Sequence, residues 1–132
     1  VLALVRGIPL FAPLPAPAIE RIMVDLTPVE LAAGDVLMHE GAVGERFYII
    51  VDGEVDVSRG GTHLIDRGRG DHLGEIALLR DVPRTATVTA KTPLSLLALE
   101  REPFLEVVTG HPQSRQRAQE IVEDRMPADP DH

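Results

Sequence analysis

The sequence predicts a mainly β fold, an antiparallel barrel or jelly roll with helices at both ends. Three observations predict it. From Val29 to Leu99 the chain runs in short stretches of Val, Ile, Leu and Thr punctuated by Gly and Asp, the pattern of many strands joined by turns. Period-two alternation stands out in Glu54-Val55-Asp56-Val57-Ser58 and Thr85-Ala86-Thr87-Val88-Thr89-Ala90, as in strands with one face on a core and one in water. Helical spacing of apolar residues is confined to the two flanks.

Pro9, Pro13, Pro15 and Pro17 interrupt the first segment. From Pro15 onward Ala18, Ile19, Ile22, Met23 and Leu26 share one helical face, so a helix of about three turns is expected, with prolines at its start. Strands are expected near 29–32, 35–39, 46–51, 54–58, 62–66, 85–90 and 94–99. Gly34-Asp35, Gly41, Gly44, Asp52-Gly53, Gly60-Gly61 and Gly68/Gly70 fall between these runs, where the chain must reverse. Beyond them, Pro103 suits a first helical turn, Phe104, Leu105, Val107 and Val108 recur on one side, and Gly110 stops the helix. Pro112 permits another start, and Ala118, Ile121, Val122 and Met126 form a narrow stripe on an otherwise charged helix, a candidate dimer seam. The expected organisation is one domain over 1–126, with strands over about 27–100, C-terminal helices over about 101–126 and a disordered tail at 127–132.

Composition narrows the function. With 44% hydrophobic and 26% charged residues the chain has the means to fold. A formal charge of -8 opposes binding to nucleic-acid backbone, and a small anion would need a locally positive pocket. Without cysteine there are neither disulfides nor Cys-ligated zinc. No apolar run approaches the ~20 residues that cross a bilayer, so no direct membrane insertion is expected and the cytoplasm is the default compartment. The chain lacks both an initiator Met and a secretory leader pattern, so it is expected to derive from a longer parent.

The most informative stretch is Gly74-Glu75-Ile76-Ala77-Leu78-Leu79-Arg80-Asp81-Val82-Pro83-Arg84-Thr85-Ala86-Thr87-Val88. A one-turn helix beginning near Glu75 would aim the free N–H groups of Ile76 and Ala77, and the positive end of its dipole, at an anion. Gly74 and Ala77 are small enough to let backbone approach such a group closely. Arg84 offers a planar fork of donors to two oxygens. It shares the parity of Ala86 and Val88, which puts a cation near the apolar side of the fold, costly without a counter-anion. A carboxylate at Glu75 beside an anion needs a cation between them, so Glu75 and Arg84 belong together. Singly, Gly74 is a turn residue, Glu75 a solvated helix-start charge and Arg84 half of a surface ion pair. Their register is what points to a ligand.

This stretch closely resembles the phosphate-binding cassette of cyclic nucleotide-binding domains, as in protein kinase A regulatory subunits, the bacterial catabolite activator and cyclic nucleotide-gated channels. That family's pattern is Gly-Glu, a small residue two on, then Pro-Arg-(Ala, Ser or Thr)-Ala. The resemblance extends through Gly34-Asp35, Glu40-Gly41, Phe47-Tyr48-Ile49-Ile50, Gly53-Glu54-Val55 and Gly70-Asp71, covering roughly residues 8–126. It implies an eight-stranded antiparallel jelly-roll barrel with an N-terminal helical segment, a short cassette helix and two C-terminal helices. It also implies cAMP or cGMP as ligand, with cAMP ahead. The phosphate would lie on Glu75–Ala77 and Arg84 and the ribose 2′-hydroxyl on Glu75. Thr85 and Ala86 would complete the cassette, the Thr85 hydroxyl meeting phosphate or the amino group of a syn guanine. A cap over the base would come from the last helix, with Arg115, Arg117, Ile121, Val122 and Arg125 as candidates. Asp71-His72-Leu73 departs from the family's aromatic pair, so altered packing beneath the pocket is expected.

The function so implied is a non-catalytic regulatory module whose ligand reorders the C-terminal helices and controls an attached effector. A weaker similarity of Leu4–Pro15 and Val82–Leu99 to regulatory domains of bacterial membrane transporters suggests an effector at the cytoplasmic face of a membrane. The alternative on the same fold is a ligand-free scaffold that dimerises through 112–126. Other chemistries fail on spacing. His39-Glu40 lacks a second His one turn on, where Val43 stands. His39, His63, His72, His111 and His132 include no His-x-His pair, so no metal is expected. Ser58, Ser95 and Ser114 lack a Gly-x-Ser-x-Gly elbow, and no P-loop is present. Arg67-Gly68-Arg69-Gly70 reads as a glycine turn with solvated charges, and one Tyr, three Phe and no Trp leave little to stack nucleic-acid bases.

Overall fold

The computed structural model describes residues 2–125. Met126 of the apolar stripe and the tail expected at 127–132 lie outside the described residues. Two helices, α1 (Leu2–Arg6) and α2 (Ala16–Asp25), precede six strands: β1 (Thr27–Leu31), β2 (Val36–Met38), β3 (Arg46–Asp52), β4 (Val55–Arg59), β5 (Thr62–Arg67) and β6 (His72–Leu73). Helix α3 (Glu75–Arg80) then leads to β7 (Thr87–Ala90) and β8 (Leu94–Glu100), and the chain ends in α4 (Arg101–Thr109) and α5 (Pro112–Arg125). The strands form two four-stranded sheets, ordered β1-β8-β3-β6 and β2-β7-β4-β5. Every pairing is antiparallel. The fold is a mainly β jelly roll with flanking helices.

The unbroken buried run Phe47-Tyr48-Ile49-Ile50 shows how the layers meet. Side chains alternate along a strand. Tyr48 and Ile50 therefore face the space between the sheets, with Leu94, Leu96 and Ala98 of β8 and Val55 and Val88 of the opposing sheet. Phe47 and Ile49 face outward, yet they too are buried, beneath the helices, with Phe11, Ile19, Ile22, Leu78 and Phe104. A strand covered on both faces reads as continuous apolar sequence rather than as alternation. Phe47 meets Phe11 edge-on at 5.5 Å between centroids and stacks on Phe104 at 4.7 Å. Each buried ring is worth roughly 1.5–3 kcal/mol, with about 0.5–1.5 kcal/mol more per aromatic pair, so this trio welds both helical ends to the sheet.

Three elements differ from the sequence reading. α1 was not anticipated as a separate helix, because five residues are too few for a 3.6-residue period to register. The two-residue β6 escaped the pattern and raises the seven strands read from it to eight. β7 begins at Thr87 rather than Thr85, because the preceding backbone is engaged elsewhere. The stripe on α5 packs within the chain: Ala118 belongs to the helical core, Ile121 packs against it, and Val122 is buried.

Candidate functional site

Arg84 explains where β7 starts. Its N–H donates to the Ala42 carbonyl at 2.7 Å, and its own carbonyl accepts from Gly41 N–H at 2.8 Å, so this stretch pairs with the loop between β2 and β3. The side chain turns inward and is only 7% exposed. Nη1 donates to the Gly74 carbonyl at 3.1 Å and Nη2 to the Arg46 carbonyl at 2.9 Å. Both partners are uncharged, and they engage two of the five N–H donors of a guanidinium. Burial holds this guanidinium below its ordinary range, against the pull of Tyr48, Glu75 and Glu45. Gly44 makes the burial feasible: a Cβ there would stand 2.6 Å from Ala77 Cβ and 3.0 Å from Arg84 Cζ.

Gly74 aims the helix turn. Its φ of 93° is open to glycine and strained for L side chains, and from it α3 starts directly. A Cβ on Gly74 would lie 2.7 Å from Arg84 Nη1 and 2.8 Å from the Arg46 carbonyl oxygen. Glu75, Ile76, Ala77 and Leu78 are all buried, so the first turn faces the interior.

Glu75 is 1% exposed. Its Oε1 accepts from His72 Nδ1 at 3.0 Å, and Arg125 Nη1 reaches Oε1 at 3.1 Å and Oε2 at 3.0 Å. Burial pushes the carboxyl up, but the His72 hydrogen bond, the attraction of His72 and Arg125 and its own backbone amide together hold it below the usual carboxylate range. An ionised carboxylate only accepts, so Nδ1 of His72 carries the proton in this contact.

Gly74, Glu75, Ile76, Ala77, Arg84, Thr85 and Ala86 all line one cavity of about 260 Å³. That is near the lower end of small-molecule pockets, roughly 300–1,000 Å³. Its apolar lining comes from Met38, Val57, Leu64, Ile65, Leu73 and Val88. Arg59, Arg67, Asp124 and Arg125 complete the lining. Four guanidinium groups thus face two carboxylates, a positive niche in a chain of formal charge -8. Arg59 Nε also donates to the Thr85 carbonyl at 2.7 Å. Burial and the like charge of Arg125 hold Arg67 below the ordinary arginine range, offset in part by Asp71, Glu75 and Asp124.

The base-cap candidates are placed differently. Arg115, Arg117, Ile121 and Val122 do not line the cavity, whereas Asp124 and Arg125 do. Arg115 and Arg117 are exposed on the early turns of α5, while Val122 faces the interior. Only the last turn of α5 reaches the site. Asp124, Arg59 and Arg67 were not singled out in the sequence, and His72 was read for packing rather than as a partner of Glu75. For Arg59 the available signal was strand alternation, which puts it on the same side of β4 as Val57.

Two other clusters lie apart. A more polar depression of about 410 Å³ on the other side of Arg84 is lined by His39, Glu45, Tyr48 and Glu100 among others, without the α3 turn or Glu75. His63 contacts Asp56 and approaches Asp66, whose other oxygen is held by Lys91 Nζ at 2.8 Å. Asp56, His63 and Asp66 are close enough together to share an ion, but they lie at the surface and Lys91 already neutralises part of their charge.

A family model described as the cyclic nucleotide-binding domain matches residues 28–111. A cAMP-dependent protein kinase regulatory subunit of Eremothecium gossypii is 48% identical over 73 residues, 54% of this chain and 16% of that protein. A cyclic nucleotide-gated potassium channel of Rhizobium etli is 37% identical over 110 residues, 83% of this chain and 31% of the channel. The chain thus spans less than a third of either curated relative. Among solved structures, the regulatory subunit of a cAMP-independent protein kinase A from Trypanosoma brucei superposes with a TM-score of 0.81 at 27% identity, covering 92% of this chain and 44% of that one.

Proposed function

This chain belongs to the cyclic nucleotide-binding domain family, and from that premise we propose that it captures a cyclic purine mononucleotide, cAMP ahead of cGMP, as a regulatory signal. The observation that carries the reading is the buried Arg84 guanidinium, which among the described residues donates to two backbone carbonyls and faces a cavity beside the first turn of α3. A cyclic phosphodiester supplies the missing negative charge through two exocyclic oxygens, the geometry a guanidinium fork suits. The amides of Ile76 and Ala77 take part of the same charge. Glu75 accepts the ribose 2′-hydroxyl, and Thr85 and Ala86 close the cassette. The apolar wall of Val57, Leu64 and Ile65 receives the base. The order of the two nucleotides is supported by the name of the 48% identical kinase regulatory subunit.

Regulation follows from α5. Arg125 ties that helix to Glu75, the group that the ribose engages, so ligand and helix bear on one carboxylate. A ligand that favours one placement of α5 shifts its population, and an attached effector reads the shift. We assign that effector to a longer parent chain, a membrane transporter among the candidates, working from the cytoplasmic side. No helix of the described residues is long and apolar enough to cross a membrane.

Isothermal titration with cAMP and with cGMP tests the reading. Saturable binding of one nucleotide per chain is expected, tighter for cAMP. An absence of both heat and thermal shift at millimolar concentrations of either nucleotide would overturn it.

A further inference from the structure

We propose that His72 is a positioning residue for ribose recognition: its imidazole, anchored in the jelly roll, orients the Glu75 carboxylate for the 2′-hydroxyl. The inference rests on the proposed nucleotide function and adds a residue to it. Glu75 is buried, and a carboxylate cut off from water needs donors to fix its rotation. Two side chains supply them, and they differ in anchorage. Arg125 comes from the last turn of α5. His72 comes from β6, paired to β3 through Ile49, within the sheet itself.

The imidazole is held on three counts. It is 5% exposed. Its ring stacks on Phe47 at 5.6 Å between centroids and 29° between planes, and Phe47 stacks in turn on Phe104. Its Nδ1 donates to Oε1 of Glu75 at 3.0 Å, which fixes the tautomer. Oε1 accepts from two side chains, His72 and Arg125, whereas Oε2 accepts from Arg125 Nη1, so Oε2 is the oxygen with more lone-pair capacity left for a hydroxyl. His72 thus holds one oxygen and leaves the other to the ligand. A phenyl ring here would keep the stack on Phe47 and donate nothing.

The test titrates the protein with cAMP and 2′-deoxy-cAMP, or with the guanine pair if cGMP binds more tightly. Wild type, His72→Phe and His72→Asn are compared, and thermal melts confirm that each is folded. Wild type is expected to lose roughly tenfold or more in affinity without the 2′-hydroxyl, since a hydrogen bond to a charged group is at stake. In His72→Phe the ratio should shrink to less than about threefold, because the carboxylate has lost its orienting donor while the phosphate contacts remain. His72→Asn, whose amide nitrogen occupies the Nδ1 position, should restore most of it. Should His72→Phe fail to fold, His72→Met provides the donor-free comparison. Full discrimination in the donor-free variant, or wild type that ignores the 2′-hydroxyl, overturns the proposal while leaving nucleotide binding intact. A wild type that binds neither nucleotide overturns the functional reading and this proposal together.

Discussion

Arg84 Nη1 donates to the Gly74 carbonyl at 3.1 Å, and a Cβ placed on Gly74 would stand 2.7 Å from that same nitrogen. The cation and the helix start therefore fix each other. Gly74→Ala is expected to destabilise the fold by about 1–3 kcal/mol, through the φ of 93° and the crowding of Arg84 and the Arg46 carbonyl. Nucleotide affinity should fall as well, because Arg84 must move. Thermal denaturation and titration of the one variant check both, and an unshifted melting temperature would sink the steric argument.

Removing the guanidinium separates ligand contact from packing. Arg84→Ala should weaken cyclic nucleotide binding roughly tenfold or more, each charge-assisted bond netting about 1.5–3 kcal/mol. Arg84→Lys keeps a charge without the fork and should fall between that variant and wild type. The readout is the rise in melting temperature that saturating nucleotide produces, which Arg84→Ala should largely lose. Affinity left unchanged would take Arg84 out of the site.

The cassette was legible because Gly74, Glu75, Ala77 and Arg84 make one chemical demand in one short stretch, and all line the cavity. What surrounds Glu75 was not. Arg125 is 50 residues away and arrives only through the path of α4 and α5. The stripe Ala118, Ile121 and Val122 reported which side of α5 is buried, but a periodicity cannot tell which turn of a helix meets a pocket. Leu64 and Ile65 read as an ordinary strand, and they lie on β5, the outer strand of its sheet, half exposed, so their place in the cavity wall depends on tertiary packing. Arg84 was expected to be buried by strand parity, and it is buried by pairing with the loop at Gly41 and Ala42 instead.

Glu75 makes the stability of the site sensitive to acid. Its carboxyl is held below the usual range in the folded chain, so its contribution is complete above its unfolded value, about 4.3, and is lost as pH falls through the lower folded value. Urea midpoints measured against pH should show an acid limb that Glu75→Gln flattens. Arg125→Ala removes one of the attractions that lower this carboxyl while its burial persists, so the limb should move to higher pH. A limb unmoved in both variants would mean that other carboxyls govern it.

Ser114 offers a test of α5 that leaves the site alone. Its side chain is fully buried, and its Oγ has no hydrogen-bond partner among the described residues. It lies four residues before Ala118 and eight before Val122, on the inward side of the helix. A buried hydroxyl without a partner costs about 1–3 kcal/mol relative to a satisfied one, and Ala is the better helix former. Ser114→Ala should therefore stabilise the fold by about 1 kcal/mol, seen as a melting temperature several degrees higher. Eleven residues of helix at 1.5 Å each put Arg125 roughly 16 Å further along, too far for the substitution to disturb its bond to Glu75. Nucleotide affinity should stay within about twofold of wild type. A loss of stability would show that the hydroxyl has a partner after all, and a large change in affinity would show that the two ends of α5 are coupled more tightly than this contact at Glu75 requires.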